Sequence, residues 1–212
     1  MEHSPPVTLT LYGQDGRRKY LTPRERLAFI AAAQAQSRPQ VETLCLVIAF
    51  TGCRISEALA LRRSCIECDE AFVAIRSLKK RGRLVIREIP IPRWLVRRLA
   101  VVHGIALDLP DQHLWSWSRT QAWFLVKRVM VQAGIRPGPH ASPKGLRHAF
   151  GVHAIRSGVP LNLLQRWLGH ARITTTAIYA EALGPEEREI AARMWGGPGT
   201  HTDNGQGHRL GL

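Results

Sequence analysis

The stretch Ser142-Pro143-Lys144-Gly145-Leu146-Arg147-His148 combines a helix-capping serine, a proline suited to the first helical position and two cations three residues apart. If Ser142 caps, Lys144 and Arg147 share one helical face beside free N–H groups and the positive end of the helix dipole. Such a corner would hold a phosphate. Arg54 follows the break Thr51-Gly52 at the start of another helix, with Glu57 three residues on. Its planar fork suits bidentate phosphate contact better than lysine does. Taken singly, Lys144 and Arg147 are equally explained by a solvated basic face, and Arg54 by a surface pair with Glu57.

A third group is Leu168-Gly169-His170-Ala171-Arg172-Ile173-Thr174-Thr175-Thr176-Ala177-Ile178-Tyr179. A lone histidine is usually structural and a tyrosine beside a leucine-rich helix is usually core, so the combination carries more than either member. The chain has three tyrosines. Tyr12 and Tyr20 lie in or beside a Pro-, Gly- and charge-rich opening stretch, so a tyrosine nucleophile inside the folded region can only be Tyr179.

These side chains need elements to position them. Residues 1–20 read as a flexible basic arm. Thr22-Pro23-Arg24-Glu25 carries a capping box and starts a helix running to about residue 36. A second helix over 41–50 is apolar nearly all round, hence central, and stops at Gly52. β-type runs over 72–75 and 84–91 flank the turn Lys79-Lys80-Arg81-Gly82-Arg83, which predicts a hairpin with a cationic tip. Further helices are predicted over 94–102, from the capping box Ser118-Arg119-Thr120-Gln121 to about Gly134, from Ser142 to Gly158, and after Pro160. A charged helix over 186–195 and a disordered tail over 196–212 complete the reading. The expected fold is mainly α with a small antiparallel β-hairpin or sheet.

Composition sets the kind of partner. With 30 Lys and Arg against 16 Asp and Glu the formal charge is +14, which calls for an anionic partner. An apolar share of 45% is ample for a buried core and excludes disorder throughout. The longest apolar run, 44–50, falls far short of the roughly 20 residues a bilayer span needs, and no basic-then-apolar signal segment opens the chain. A soluble, cytoplasmic protein with no membrane partner is therefore expected. Cys65 and Cys68 form a C-x-x-C without a second Cys or His pair nearby, so the four cysteines read as buried free thiols and no metal is expected.

Taken in order, three boxes resemble the tyrosine recombinase, or phage integrase, family. Thr51-Gly52-Cys53-Arg54-Ile55-Ser56-Glu57-Ala58-Leu59 is similar to its first arginine box, Lys144-Gly145-Leu146-Arg147-His148 to its H-x-x-R box, and Leu168-Gly169-His170 with Tyr179 nine residues later to its last box. The resemblance runs from about residue 21 to 195, with a basic hairpin between the first two boxes. It implies a catalytic domain over 21–195 that breaks and rejoins DNA through a 3′-phosphotyrosine, without cofactor. Arg54 and Arg147 would grip the scissile phosphate, His170 would bond it and Tyr179 would attack it. The hairpin lysine that protonates the leaving oxygen falls on Lys79 or Lys80, and counting from Ile75 favours Lys79. Lys144 stands where the family most often has His, so the acceptor of the tyrosine proton is open, with His148 and His140 as alternatives. Lys80, Arg81, Arg83, His148 and Arg172 are the further candidate DNA contacts.

Family members usually carry a helical core-binding domain ahead of the catalytic one, whereas 53 residues precede Arg54 here. The resemblance thus covers a catalytic domain without that partner. It implies double-stranded DNA as substrate and a homo-tetramer in a DNA synapse, and leaves open whether an accessory DNA-binding protein completes the clamp; the apolar stripe of the helix over 186–195 could dock into a neighbouring subunit or pack on its own domain. Two other readings compete. A type IB topoisomerase shares the tyrosine chemistry, and a non-catalytic regulator could read DNA through a helix-turn-helix outline over 148–168, although that leaves Tyr179, Arg54 and the basic hairpin without a role.

Overall fold

The computed structural model describes residues 10–78, 84–105 and 111–180, with side chains described over 10–76, 85–105 and 111–180. The hairpin tip with Lys79, Lys80, Arg81 and Arg83, the expected helix over 186–195 and the tail from residue 196 lie outside the described residues.

The hydrophobic centre is the helix α2 (Pro39–Thr51), whose residues from Val41 to Ala49 are all buried. No polar face remains on that stretch, so α2 cannot lie at the surface. It is wrapped by α1 (Pro23–Gln34), α4 (Arg93–His103), α5 (Arg119–Gln132) and α6 (Pro143–Arg156). The boundaries follow local chemistry. Thr22 caps α1 through the Glu25 N–H while the Glu25 carboxylate accepts from the Thr22 N–H, and Ser118 and Gln121 repeat this box at α5. Gly52 ends α2 in the left-handed conformation at φ +61°, leading to Arg54 and the short helix α3 (Ile55–Leu59).

The sheet is antiparallel with order β1-β2-β3: β1 (Ile66–Glu67), β2 (Phe72–Leu78) and β3 (Leu84–Pro90). Register pairs Ile75 with Arg87 and Leu78 with Leu84, so the predicted hairpin is present. The two-residue strand β1 was not anticipated; it is too short to show alternation. After α6 the chain turns at Gly158, forms α7 (Leu161–Leu168), turns again at Gly169 and enters the short helix α8 (Thr174–Ala177), just ahead of Tyr179. A second apolar cluster of Phe150, Val152, Leu164, Leu168 and Ile178 encloses Tyr179 beside the main core.

Residues 10–20 differ from the expected flexible arm. The chain turns back on itself between Tyr12 and Arg18, which pair as an isolated antiparallel bridge, and Leu11 is 1% exposed in the second cluster. Arg18 meets Glu25 at 2.5 Å. Leu11, the neighbouring Tyr20 and the Arg18–Glu25 pair dock the segment, yet they leave no periodic signature in sequence. Cys45, Cys53 and Cys65 are buried free thiols, whereas Cys68 is exposed. Among the described residues, no group of three or more His, Cys, Asp or Glu side chains could hold a metal, and no helix is long and apolar enough to cross a membrane.

Candidate active site

Ser142 caps α6 as its sequence predicts, accepting from the Gly145 N–H at 3.1 Å with Pro143 first in the helix. That start points Lys144, Arg147 and His148 toward one cavity of about 420 Å³. Arg54 enters from the start of α3, His170 from the turn after α7, and Tyr179 from beyond α8; Arg119 and Trp123 of α5 close the rim. Three stretches, the first and last of them 125 residues apart at Arg54 and Tyr179, thus meet around one space, with two guanidiniums and the phenol on its wall.

Arg147 is held rigidly. Its Nη1 donates to the Gly52 carbonyl at 2.8 Å and its Nη2 to the Leu168 carbonyl at 2.6 Å, tying it to the ends of α2 and α7. Both carbonyls sit at left-handed glycine turns, Gly52 and Gly169, where the helix leaves acceptors free. Burial lowers the Arg147 pKa to about 10, and repulsion from Arg54 adds to this, while Glu57 and Tyr179 oppose it. It remains a cation at neutral pH.

Glu57 organises the cationic wall. Its carboxylate accepts from the Arg54 N–H and from Arg54 Nη1, each at 2.8 Å, and faces Arg87 Nη2 at 2.8 Å, with Arg147 Nη1 4.0 Å away. Burial pushes its carboxyl pKa up, but Arg87, the Arg54 backbone N–H and the Arg54 charge outweigh that and hold it below the usual range. The surface pair weighed for Arg54 and Glu57 is therefore real but only half of the picture. The Arg54 side chain is 50% exposed and lines the cavity, and the carboxylate beneath it is shared.

Arg87, on β3, was not singled out by sequence reasoning. It is 2% exposed, and its Nη1 donates to the Trp167 carbonyl at 2.8 Å. A Cβ on Gly169 would come within 2.7 Å of Arg87 Nη1, so the glycine permits both the φ of +67° and this approach. The signal was available: Arg87 falls on the inward register that continues with Ile89 and Ile91, where strand alternation demands an apolar residue. A cation there must be paired.

Tyr179 is 1% exposed. Burial raises its pKa to about 12, with Arg147 and then Arg54 pulling the other way. Its ring stacks on His170 with centroids 6.3 Å apart and planes 11° from parallel, and a Cβ on Gly151 would lie 2.6 Å from Cε1. Gly151 thus makes the slot into which the ring fits. His170 Nδ1 bonds Thr176 Oγ1 at 2.9 Å. Burial, then Arg147 and Arg54, drives the His170 pKa down to about 3, so the ring is neutral. If Nδ1 accepts from the threonine hydroxyl, Nε2 carries the proton and can donate to an anion in the cavity.

The two histidine alternatives separate. His140 Nε2 lies 3.7 Å from Glu25 Oε1, outside the residues that line the cavity. His148 Nδ1 lies 3.1 Å from Tyr179 Oη. Lys144 is exposed at the rim and Arg172 is exposed outside the cavity lining. Of the expected site residues, the structure brings together Arg54, Lys144, Arg147, His148, His170 and Tyr179. Lys79, Lys80, Arg81 and Arg83 fall outside the described residues. Chemically, the assembled groups offer fixed positive charge, neutral imidazole donors and a phenolic nucleophile, which suits attack on a phosphodiester.

Comparison with known proteins points the same way. The phage integrase family matches residues 19–184. The tyrosine recombinase XerD of Neisseria meningitidis serogroup A / serotype 4A (strain DSM 15465 / Z2491) is 35% identical over 136 residues, covering 61% of this chain and 46% of that protein. XerA of Thermococcus kodakarensis (strain ATCC BAA-918 / JCM 12380 / KOD1) is 26% identical over 166 residues, covering 74% of this chain and 56% of that protein. The chain spans about half the length of the curated relatives it matches. A crystal structure of XerA recombinase superposes with a TM-score of 0.66 and 25% identity over 82% of this chain and 64% of that one. The catalytic domain of bacteriophage HP1 integrase, at 22% identity, shares the fold with a TM-score of 0.61 over 82% of this chain and 93% of that domain.

Proposed function

The chain belongs to the phage integrase family, and on that footing we propose that it is the catalytic domain of a site-specific DNA recombinase, with residues 21–195 as the catalytic unit. The observation that carries this reading is the meeting of Arg54, Arg147 and Tyr179 around one cavity within a single chain. A scissile phosphate would sit between the two guanidiniums. Arg147, anchored at both ends, would hold one non-bridging oxygen, and the half-exposed Arg54 would close on the other. These cations would stabilise the charge that grows on the pentavalent phosphorus, the largest contribution a fixed electrostatic site makes. His170 would donate from Nε2 to the same oxygens.

Tyr179 Oη would attack phosphorus, leaving a 3′-phosphotyrosine and a 5′-hydroxyl that takes its proton from the hairpin lysine, Lys79. Attack by a partner strand's 5′-hydroxyl would reverse the step and restore the phenol. The bond energy stays in the phosphotyrosine, so strand exchange needs no nucleotide cofactor. Double-stranded DNA is the proposed partner, with Lys80, Arg81, Arg83 and Arg172 as backbone contacts. The same reading places the protein in the cytoplasm. A homo-tetramer on paired sites and an accessory DNA-binding protein are its proposed assembly.

The test uses a randomised library of nicked duplexes, from which covalently trapped DNA is recovered and sequenced. The wild-type protein should yield a DNA adduct that disappears in Tyr179→Phe and persists in Tyr12→Phe. No adduct with any library member would overturn the reading in favour of a DNA-binding protein without strand transfer.

A further inference from the structure

The structure leaves one proton without an assigned destination, the one that Tyr179 must lose as it attacks. We infer that His148, through Nδ1, accepts it. This rests on the recombinase reading above and adds a catalytic residue to it.

Geometry selects His148 among the basic groups on the cavity wall. Its Nδ1 is 3.1 Å from Tyr179 Oη, within reach of direct transfer, and the two rings lie 5.9 Å apart at a 51° tilt. His170 faces the phenol ring by stacking, not its oxygen, and its Nδ1 is occupied by Thr176. Lys144 is exposed at the cavity rim, whereas the phenol oxygen it would have to meet is buried. His140 is engaged toward Glu25. The imidazole of His148 is fixed in α6, 6% exposed, on the same turn as Arg147, so the group that takes the proton and the group that grips the phosphate share one rigid helix.

The groups facing His148 decide when it is basic. Lys144 and Arg147 on its own helix, Lys19 from the docked opening segment, and His170 from the turn after α7 surround it, together with Tyr179. Burial, then Lys144, Arg147 and Lys19, holds its pKa down to about 4, so the ring is neutral and its lone pair is available before DNA arrives. An incoming phosphodiester brings negative charge beside those cations and offsets their repulsion, so the imidazole becomes a better base as the substrate seats. The empty site is thereby protected from ionising its own nucleophile. The Oη–P bond forms while the phenolic proton passes to Nδ1, the bond from phosphorus to the 5′ oxygen breaks, and that oxygen takes a proton from the separate acid. On religation, the imidazolium returns its proton to the departing phenol.

The experiment uses the full chain on the duplex recovered from the library, carrying a 5′-bridging phosphorothiolate at the cleavage position. The thiolate leaving group needs no proton, so the rate reports nucleophile activation alone. Single-turnover adduct formation is followed from pH 6 to 10. Wild type should be nearly flat from pH 7 to 9. His148→Asn, which keeps a hydrogen-bond acceptor but cannot take the proton, should be slower by about 100-fold at pH 7 and rise about tenfold per pH unit, closing the gap at high pH. His148→Gln repeats the measurement should the asparagine variant lose its circular dichroism signal. A deficit that is constant across pH, an asparagine variant within threefold of wild type at pH 7, or the rising profile in Lys144→Ala instead would overturn the assignment. Absence of any Tyr179-dependent adduct in wild type would instead remove the recombinase reading itself.

Discussion

The two walls of the cavity are held by opposite physics. On the arginine wall, Arg54 and Arg147, together with the buried Arg87 that shares their carboxylate, are fixed by Glu57 and by backbone carbonyls. On the tyrosine wall, Tyr179 is fixed by apolar packing, a glycine-shaped slot, a stacked imidazole and one hydrogen bond. Charges in a low-dielectric site must be paired before substrate arrives, whereas a neutral phenol can be stored by shape. The cations are therefore charged at rest and the nucleophile is protonated at rest. Under the proposed function, such a division would keep the site inert until a phosphate is bound.

The sharpest way to break the arginine wall is Glu57→Gln. Arg87 and Glu57 are 2% and 9% exposed, so removing the carboxylate leaves a buried cation without its counter-charge. Urea unfolding should show a loss of about 3–5 kcal/mol. Survival at wild-type stability would mean that the shared carboxylate is not what holds this wall. On the tyrosine wall, Gly151→Ala introduces a methyl against the phenol ring. Overpacking costs about 1–3 kcal/mol, against a helix-propensity gain of about 1 kcal/mol, so the net stability change should be small. Adduct formation should fall sharply because the phenol is displaced. A variant that loses stability yet cleaves normally would contradict shape storage.

The smallest expected effect separates the walls by pH. His148 and His170 have folded pKa values lowered to about 4 and about 3, so the unfolded chain binds more protons below its own histidine pKa of about 6.5. Their contribution to stability is complete above that value and is lost as pH falls toward 4. The depressed Glu57 carboxyl contributes in the same direction, fading only at lower pH as it protonates in the folded state. Thermal unfolding of wild type should show a midpoint that declines from pH 7 to 4, and His148→Asn should flatten the upper part of that decline. An unchanged slope would place the titration elsewhere.

What the sequence made legible is what depends on near neighbours along the chain. The Thr22 and Ser142 caps, the glycine stops at 52 and 158, and the pairing of the β-type runs as β2 and β3 are each encoded within a few residues, and the structure keeps them. The three boxes around Arg54, Arg147 and Tyr179 were legible for the same reason. For Arg87 the strand register exposes an inward cation but not its partners, because Glu57 and the Trp167 carbonyl lie 30 and 80 residues away in sequence. The docking of Leu11 was hidden because one apolar side chain has no period. Glu57 was visible only as the partner of Arg54, since sharing among cations is a property of the assembled site.

The reach of Arg87 has a bearing on how such a domain can be rebuilt. One side chain from β3 ties the strand to the carboxylate under the first arginine box and to the turn that presents His170, and it tolerates only glycine at position 169. The strand, the box and the turn are therefore not interchangeable modules. A hairpin grafted from a relative would fit only if it arrived with an arginine at this register, a matching acid and a residue without a side chain opposite, so the three positions must travel as a set.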